Sequence, residues 1–329
     1  MKTMISPKLS VIMAVYNGKK HLREAIESIL NQTFTNFEFI IVNDCSTDSS
    51  LEIIQSYEDE RIKVINNERN IGLTKSLNKG IKQARGEYIA RQDADDISLP
   101  NRFEKQLKYF EEHPKTALLG TSIYVIDENG NILEKRIASP SPNKTLLKGN
   151  RFTHGSLMFK RSVINELGQY NELFKYSQDY ELCLRISKYY EVKNLEAPLY
   201  KLRFHSSSIA STKIKEQQLY ASLAQKLAKN ELSKESLKMI RDNIFNLYSL
   251  LNRQEKIVFH KAVAYSHIQY NDLESARREY KRIFRLNPFD MENNLYLMLS
   301  HIGKGSIRKM HQIYRFSRYV SYKMFRLEI

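Results

Sequence analysis

The sequence predicts an α/β fold, in which a mostly parallel sheet flanked by helices is followed by an all-helical region. Three observations carry this prediction. Apolar and amphipathic segments alternate up to residue 92, which is typical of strand–helix units. The apolar segments are nearly continuous, as in parallel strands that are buried on both faces. After residue 213, Gly and Pro almost vanish and helical periodicity takes over.

The first predicted elements are strand, helix, strand, helix, strand, helix and strand. The strands are expected over 9–16, 37–44, 62–67 and 87–92, and the helices over 21–32, 46–58 and 72–84. Residues 46–48 are Ser, Thr and Asp, good N-caps for the second helix. Ligands of such sheets bind at the carboxyl ends of the strands. Four loops are therefore expected to meet there, at 15–18, 42–48, 67–72 and 92–96.

The chain beyond Pro100 continues as a mixture of helices and strands. We expect a helix over 101–113, two strands around the turn DENG, a segment 152–160, a helix over 177–190 and a strand over 192–205. The polar residues 205–213 are interpreted as a linker. The predicted domains are therefore a sheet domain over residues 1–212 and a basic helical domain over residues 213–329.

The helical domain contains one candidate repeat and one candidate interaction surface. Residues 257–290 fit the spacing of a tetratricopeptide-type helical hairpin through Ala264, Ala276, Tyr280 and Pro288, although a generic helical bundle fits as well. Near the C-terminus, apolar residues recur at helical spacing, at Met310, Ile313, Phe316, Val320, Met324 and Leu327. This stripe is compatible with packing within the chain, with a homo-oligomer interface or with peripheral membrane contact. We expect a homo-oligomer.

The composition is that of a soluble globular protein, with 42% hydrophobic and 27% charged residues among 329. No apolar run approaches the roughly 20 residues that a membrane span requires, and the N-terminal residues lack a signal-peptide pattern. We therefore expect a cytoplasmic protein, with the inner membrane face as the second expected location. Cys45 and Cys183 are too few and too far apart to indicate a disulfide framework or a cysteine zinc site.

The positive charge is concentrated in the second half of the chain. Residues 213–329 carry +11 of the net charge of +15, and residues 1–212 carry the other +4. No recognised nucleic-acid-binding module accompanies the charge, so nucleic acid is not an expected partner.

Three carboxylates, Asp93, Asp95 and Asp96, fall within four residues at the end of the fourth predicted strand. Crowded like charges repel one another, so this position requires compensation. A turn before Pro100 is one interpretation. A bound cation is the other, because Mg²⁺ and Mn²⁺ prefer carboxylate oxygens and are often completed by substrate phosphates. The position on the ligand edge of the sheet favours the cation.

Asp44 ends the second predicted strand on the same edge. A carboxylate there can accept hydrogen bonds from a base or a ribose, although it could also cap a helix. The first strand is followed by VYNGKK and not by a G-x-G-x-x-G motif, which argues against a dinucleotide cofactor.

Five blocks of the sequence resemble the family 2 nucleotide-sugar glycosyltransferases of GT-A fold. They are SVIMAVYNGKKHLREAIESILNQTF, FIIVNDCSTDSS, NIGLTKSLNKGI, ARQDADD and SQDYELCLR. The resemblance covers residues 8–210 and implies transfer from a nucleoside diphosphate sugar, expected to be a UDP-sugar, with Mn²⁺ or Mg²⁺ as cofactor. It also implies a glycan or glycoprotein acceptor and inversion. The donor-binding residues that it implies are Val15, Tyr16, Asp44, Asn70, Gly72 and Asp93.

The same resemblance implies roles for the remaining site residues. Asp95 and His205 would hold the metal, and Asp179 would act as the catalytic base. Gln178, His154 and Gly155 would lie on the acceptor side. Gln178 stands where the family commonly has Glu, and Asn43 and Cys45 depart from the common V-D-D-G-S pattern.

Two other functions remain open on the sequence. A sugar-phosphate nucleotidyltransferase would also use an α/β domain with Mg²⁺, but it normally has a Gly-rich basic loop after the first strand, which VYNGKKH does not resemble. A non-catalytic nucleotide-sugar-binding scaffold is the second alternative. The presence of Asp93, Asp95 and Asp179 together argues against it.

Overall fold

A computed structural model describes residues 6–205 and 209–302, and these divide into two compact units. Residues 6–205 and 223–232 belong to the first unit, and the other described residues belong to the second. The predicted stripe from Met310 to Leu327 lies outside the described residues. The predicted boundary after residue 212 stays a prediction.

The elements of the first unit are, in chain order, β1 (Leu9–Val15), α1 (Leu22–Leu30), β2 (Phe37–Asn43), α2 (Ser50–Gln55), β3 (Ile62–Asn66), α3 (Leu73–Gln83), β4 (Tyr88–Arg91), β5 (Ile97–Ser98), α4 (Arg102–Glu112), β6 (Thr116–Ile126), β7 (Ile132–Arg136), α5 (Asn143–Leu146), a 3₁₀ turn (His154–Ser156), β8 (Met158–Lys160), α6 (Arg161–Leu167), α7 (Gln178–Ser187) and β9 (Glu191–Arg203). The later helices are α8 (Ile209–Thr212), α9 (Ile214–Ala228), α10 (Lys234–Asp242), α11 (Asn246–Leu250), α12 (Arg253–Gln269), α13 (Leu273–Leu286) and α14 (Met291–Ile302). The predicted α/β fold followed by helices is confirmed.

The nine strands of the described chain form one sheet in the order β3-β2-β1-β4-β8-β6-β9-β5, with β7 paired to β6. Strands β3, β2, β1 and β4 are parallel to one another. Beyond β4 the sheet is mixed, because β8 runs antiparallel to both β4 and β6 while β6 and β9 are parallel. The carboxyl ends of β1 to β4, β6 and β9 consequently lie at one edge.

Both faces of strand β1 are buried, as its continuous apolar sequence predicts. Val11 and Met13 belong to a core cluster with residues of α1 and α4. Ile12 faces the other way, toward α3, where Gly80 lets the helix approach closely. A Cβ atom on Gly80 would lie 2.7 Å from Cγ2 of Ile12. This two-sided packing fixes the strand ends that carry the site.

Helix α2 begins at Ser50, four residues later than the sequence predicts. The polar residues before it serve a loop instead of a helix cap. Asp48 accepts hydrogen bonds from the backbone N–H of Ser50 at 3.0 Å and of Lys19 at 3.2 Å. The prediction of a helix from residue 46 is therefore wrong, because Ser, Thr and Asp favour caps and turn contacts equally well.

Helices α12 and α13 form the helical hairpin that the spacing in residues 257–290 predicts. Ala264, Ala276 and Tyr280 are buried together in one apolar cluster. Nε of Arg253, at the start of α12, donates to the carbonyl of Leu286 at the end of α13, which makes the two helices antiparallel. No helix within residues 6–205 and 209–302 is both long enough and apolar enough to span a membrane.

A buried histidine–glutamate hydrogen bond joins these two helices. Nδ1 of His260 lies 2.6 Å from Oε2 of Glu279, and both side chains are at most 3% exposed. Burial raises the pKa of Glu279, but the hydrogen bond with His260 and the charges of Lys215 and Arg282 outweigh it. The resulting pKa is about 2, below the usual 4.5. The ionised carboxylate therefore stabilises the fold above about pH 4.5, and this contribution is lost as the pH falls toward 2.

We expect the stability of the Glu279→Gln variant to fall less steeply at acid pH than that of the unmodified protein. Thermal unfolding, followed by circular dichroism between pH 3 and pH 7, should show the unmodified protein losing stability below about pH 4.5 more steeply than the variant. Glu274→Gln is the matched control, because Glu274 lies on the same helix but its side chain is 80% exposed. Identical acid limbs for the unmodified protein and Glu279→Gln would contradict the assignment.

Candidate active site

The loops after β1 and β2 are joined at the carboxyl edge of the sheet. Asn17 accepts a hydrogen bond from the backbone N–H of Thr47 at 2.8 Å, and the N–H of Gly18 donates to Ser50 Oγ at 2.9 Å. Two non-glycine residues take left-handed backbone conformations there, Asn17 at φ 52° and Cys45 at φ 59°. Cys45 stands where the resembling family commonly has Gly, which adopts this conformation without steric cost. The departure in sequence thus leaves the backbone turn in place.

Two predicted donor residues, Val15 at the end of β1 and Tyr16 just after it, differ in exposure. Val15 is 1% exposed and belongs to the hydrophobic core, and its carbonyl accepts the N–H of Asp44 at 2.8 Å. Tyr16 follows it and is 52% exposed. A large aromatic surface at the ligand edge can stack on a planar base. Of these two residues, only Tyr16 offers its side chain to a ligand.

Asp44 is buried and organises the loop that precedes α3. Its Oδ1 accepts from Asn67 Nδ2 at 2.8 Å and from the N–H of Ile71 at 2.9 Å, and its Oδ2 accepts from the N–H of Gly72 at 2.8 Å. Gly72 takes φ 88°, which favours glycine. Asn70 is exposed on the same loop. The structure thus brings together three predicted donor residues, and it adds Asn67, which the sequence analysis missed.

The first two carboxylates of the aspartate cluster have different partners, an arginine for Asp93 and a histidine for Asp95. Oδ1 of Asp93 accepts a hydrogen bond from Nη2 of Arg91, whose side chain is 1% exposed. Oδ2 of Asp95 lies 2.9 Å from Nε2 of His205. The two carboxylates are therefore compensated separately, one by a buried guanidinium group and the other by the predicted histidine.

The third carboxylate, Asp96, is 2% exposed and is structural. It accepts the backbone N–H of Arg203 at 2.7 Å. Burial raises its pKa well above the usual value, and the neighbouring charges of Asp95 and Asp93 raise it further. Asp96 therefore binds its proton more tightly than an ordinary aspartate, and burial disfavours a further charge at this position.

The pair of Asp95 and His205 fits a divalent cation that a substrate would help to hold. Two adjacent ligands of an octahedral ion, each about 2.1 Å from it, are about 3 Å apart, and these two atoms are 2.9 Å apart. The side chain of Asp95 is 41% exposed, so further ligands can approach. No group of three or more His, Cys, Asp or Glu suited to a metal occurs within the described residues. The pair alone would leave most positions to substrate oxygens and water.

The predicted acceptor-side loop forms the 3₁₀ turn from His154 to Ser156 and packs directly against the aspartates. A Cβ atom on Gly155 would lie 1.8 Å from the hydroxyl oxygen of Tyr200 and 2.8 Å from Oδ2 of Asp93. Tyr200 is fully buried, and its hydroxyl accepts the N–H of Asp93 at 3.2 Å. Only glycine therefore allows this turn to approach the donor-side carboxylate.

Gly155→Ala is expected to lower turnover about 100-fold, because a displacement of about 1 Å at a reacting group has an effect of this size. The added methyl group must push away either Tyr200 or Asp93. Steady-state kinetics measures the effect, with circular dichroism to confirm folding. Gly130→Ala is the control, since nothing lies within 4 Å of its Cβ position and its φ of 88° makes the substitution strained in the backbone alone. Normal turnover of Gly155→Ala would contradict the assigned contact.

His154 lies between two further residues that the sequence analysis missed. Its Nε2 is 3.3 Å from Nε of Arg91 and 2.8 Å from the hydroxyl oxygen of Tyr170. Burial lowers the pKa of His154 and the charge of Arg91 lowers it further, while Asp179 and Asp93 partly oppose this. His154 is therefore neutral at pH 7 and lies within electrostatic range of both carboxylates.

Asp179 occupies the first turn of α7, and one of its oxygens is held in place. Oδ2 accepts from Nδ2 of Asn150 at 2.8 Å, and Oδ1 has no hydrogen-bonding partner in the described part of the chain. Ser177, just before the helix, takes a left-handed conformation at φ 56°, which turns the chain sharply into α7. Gln178 is 4% exposed, so its position before Asp179 is a buried one. Asp179 thus offers one free carboxylate oxygen.

A second buried arginine, Arg102, supports the aspartate segment from behind. It is 0% exposed and donates to Ser98 Oγ at 2.7 Å and to the carbonyl of Arg91 at 2.8 Å. Burial lowers its pKa to about 10, which leaves it charged at neutral pH. The sequence signal for Arg91 was an arginine at the end of an apolar strand. No local signal marks Tyr170 or Tyr200, which reach the site from far along the chain.

Comparison with known proteins identifies the family of this chain. Residues 10–168 match the family described as glycosyl transferase family 2. An uncharacterized glycosyltransferase of Methanocaldococcus jannaschii is 42% identical over 227 residues, covering 66% of this chain and 78% of the relative. The chain belongs to glycosyltransferase family 2. The O-antigen biosynthesis glycosyltransferase WbnJ of Escherichia coli is 39% identical over 193 residues, covering 56% of this chain and 74% of WbnJ.

Solved structures are similar in fold to this family 2 glycosyltransferase. The crystal structure of S. aureus TarS 1–349 in complex with UDP-GlcNAc has a TM-score of 0.56 at 18% identity, covering 93% of this chain and 92% of that chain. At this identity the likeness supports the GT-A fold alone. Family membership favours a glycosyltransferase over the nucleotidyltransferase and the non-catalytic scaffold, the two alternatives that the sequence had left open.

Proposed function

We propose that this family 2 glycosyltransferase moves a sugar from a nucleoside diphosphate sugar onto a hydroxyl group of a glycan or glycoprotein, with inversion at the anomeric carbon. The observation that carries the proposal is the packing of the turn at Gly155 against Asp93, with the charges of Asp93 and Asp179 both acting on the adjacent His154 ring. The pair of Asp95 and His205 and the free oxygen of Asp179 support it.

The donor is a UDP-sugar bound along the ends of β1, β2 and β4. The exposed ring of Tyr16 suits a base, and Asp44 holds the backbone of Ile71 and Gly72 in the loop beside it. The crystallised complex of TarS with UDP-GlcNAc supports a uridine donor for a chain of this fold. In this role Asp44 acts chiefly through the loop that it shapes, because its oxygens already accept three hydrogen bonds.

Asp95 and His205 would hold Mn²⁺ or Mg²⁺ together with the diphosphate. A bound divalent cation acts as a Lewis acid that neutralises charge on the leaving diphosphate. The chain itself keeps Asp93 in position through Arg91 and through the backbone contact with Tyr200. Burial disfavours the ionised form of Asp96 and so limits the negative charge beside the diphosphate.

Asp179 takes the proton from the acceptor hydroxyl as that oxygen attacks the anomeric carbon. Its Oδ1 is open while Asn150 fixes Oδ2, so the carboxylate is oriented before the acceptor arrives. A positioned base of this kind contributes roughly 10²–10⁴-fold to the rate. A single candidate base favours direct displacement with inversion. The name of WbnJ as an O-antigen biosynthesis enzyme supports a glycan acceptor.

A panel of nucleotide sugars with Mn²⁺ tests the proposal, with and without glycan acceptors. Release of nucleoside diphosphate, abolished by EDTA, is the expected result, and nuclear magnetic resonance of the product reports the anomeric configuration. Release of pyrophosphate from a nucleoside triphosphate would favour a nucleotidyltransferase instead. An absence of turnover with every donor and acceptor would contradict the function.

We also propose that the C-terminal helices assemble the enzyme into a homo-oligomer. The catalytic unit alone is expected to bind the donor. Removal of residues 305–329, which contain the predicted apolar stripe, is expected to lower the oligomeric state in light scattering without loss of nucleotide binding. A symmetric interface is the commonest way to cover such a stripe. A monomeric full-length protein that binds anionic vesicles in a salt-sensitive way would favour peripheral membrane contact instead.

A further inference from the structure

Both hydrogen bonds of the His154 imidazole involve the same ring nitrogen, Nε2. Nε2 lies 3.3 Å from Nε of Arg91 and 2.8 Å from the hydroxyl oxygen of Tyr170. A guanidinium group can only donate hydrogen bonds. Nε2 must therefore carry the lone pair, and the hydroxyl of Tyr170 donates to the same atom. In a neutral ring the proton is then on Nδ1.

The two partners of His154 are themselves fixed. Arg91 is 1% exposed, and its Nη1 donates to the carbonyl of Ile12 at 2.9 Å. Tyr170 is clamped at its backbone by Asn78, which accepts its N–H at 3.0 Å and donates to its carbonyl at 2.9 Å. The ring of Tyr170 also meets that of His154 edge-on, at 5.5 Å between centroids. The imidazole consequently has one tautomer and one orientation.

Nδ1 of His154 is, within the described chain, the unpartnered nitrogen of the ring. It has no hydrogen-bonding partner among the described residues, and it is not one of their buried, unpartnered polar atoms. A Cβ atom on the adjoining Gly155 would lie 2.8 Å from Oδ2 of Asp93, and the charges of Asp179 and Asp93 both act on the His154 imidazole. A neutral N–H donor thus lies within electrostatic range of two carboxyl groups.

We propose that Arg91 and Tyr170 hold His154 as a neutral imidazole with its proton on Nδ1, and that this N–H donates to a sugar hydroxyl bound between Asp93 and Asp179. The inference rests on the proposed glycosyl transfer. A sugar hydroxyl that donates to a carboxylate keeps lone pairs that need a donor, and His154 supplies one. A site that is built to bond a hydroxyl discriminates against sugars that lack it. His154 is therefore a specificity-determining residue, and Arg91 and Tyr170 are positioning residues.

The tautomer can be tested without substrate. Nitrogen-15 spectra of histidine-labelled protein distinguish Nδ1–H, Nε2–H and imidazolium forms, and the signals missing from a His154→Asn variant identify His154. The expected result is the Nδ1–H form at pH 7. Removal of the hydroxyl in Tyr170→Phe should raise the Nε2–H fraction about fivefold relative to Nδ1–H, the effect of losing one neutral hydrogen bond. A dominant Nε2–H form, or imidazolium at pH 7, would overturn the inference.

Donation to the sugar is tested by two amide variants of different length. In His154→Asn the amide N–H comes close to the former position of Nδ1, whereas the longer side chain of His154→Gln places it near Nε2. We expect kcat/KM of the Gln variant to fall at least tenfold, and that of the Asn variant to stay at least fivefold above it, about the effect of one hydrogen bond. Equal or reversed activities in folded variants would overturn the inference. If the unmodified protein turns over no nucleotide sugar, the proposed function fails, and the nitrogen-15 spectra still decide the tautomer.

Discussion

Replacing Asp179 with asparagine is expected to lower turnover by two or more orders of magnitude, while donor affinity changes little. Asparagine has nearly the same shape but cannot take a proton from the acceptor hydroxyl, and a general base contributes roughly 10²–10⁴-fold. The bond from Asn150 can persist through the amide oxygen of the new side chain. Initial rates and calorimetric titration with the donor separate the two effects.

Asp59→Asn is the matched control for this experiment. Asp59 belongs to the same unit but pairs with Arg61 at the start of β3, at the opposite end of that strand from the site. We expect its turnover to be normal. If donor binding collapses in Asp179→Asn, or if the rate changes less than about tenfold, Asp179 is structural and another base must be sought.

Replacing Asp95 with asparagine is expected to reduce turnover nearly to background and leave the fold intact. The side chain is 41% exposed, and its only partner among the described side chains is His205, so little structure depends on it. The charge that would hold the cation is lost, and a neutral amide oxygen is a weaker ligand for Mn²⁺ or Mg²⁺. Rates measured across a Mn²⁺ titration test this expectation.

The neighbouring Asp96→Asn is the sharpest control, because it makes the same substitution one residue away. Burial and adjacent charge raise the pKa of Asp96 and so disfavour its ionised form, which makes a neutral asparagine a milder change there than at Asp95. The asparagine oxygen can still accept the N–H of Arg203. We expect activity within about tenfold of normal, the size of one perturbed hydrogen bond. Near-normal, EDTA-resistant turnover of Asp95→Asn would refute the metal assignment.

Much of the site could be predicted because it follows from strand ends. Apolar runs mark β1, β2 and β4, and parallel strands bring their carboxyl ends to one edge. The sequence alone therefore places Asp44 and Asp93 at the same edge of the sheet. The role of residues 46–49 was not predictable, because Ser and Asp bond equally well to a helix N-terminus or to a neighbouring loop.

The sequence by itself determined the class of fold, the family and the edge that carries the carboxylates, because hydrophobic periodicity and motif order are local properties. Only the tertiary structure decided how three adjacent aspartates differ. Arg91 pairs with Asp93, His205 reaches Asp95 from 110 residues away, and burial raises the pKa of Asp96. Contacts between residues distant in sequence, and the removal of a group from water, depend on packing. Neither is written in the spacing of the residues, yet together they set the charge of the site.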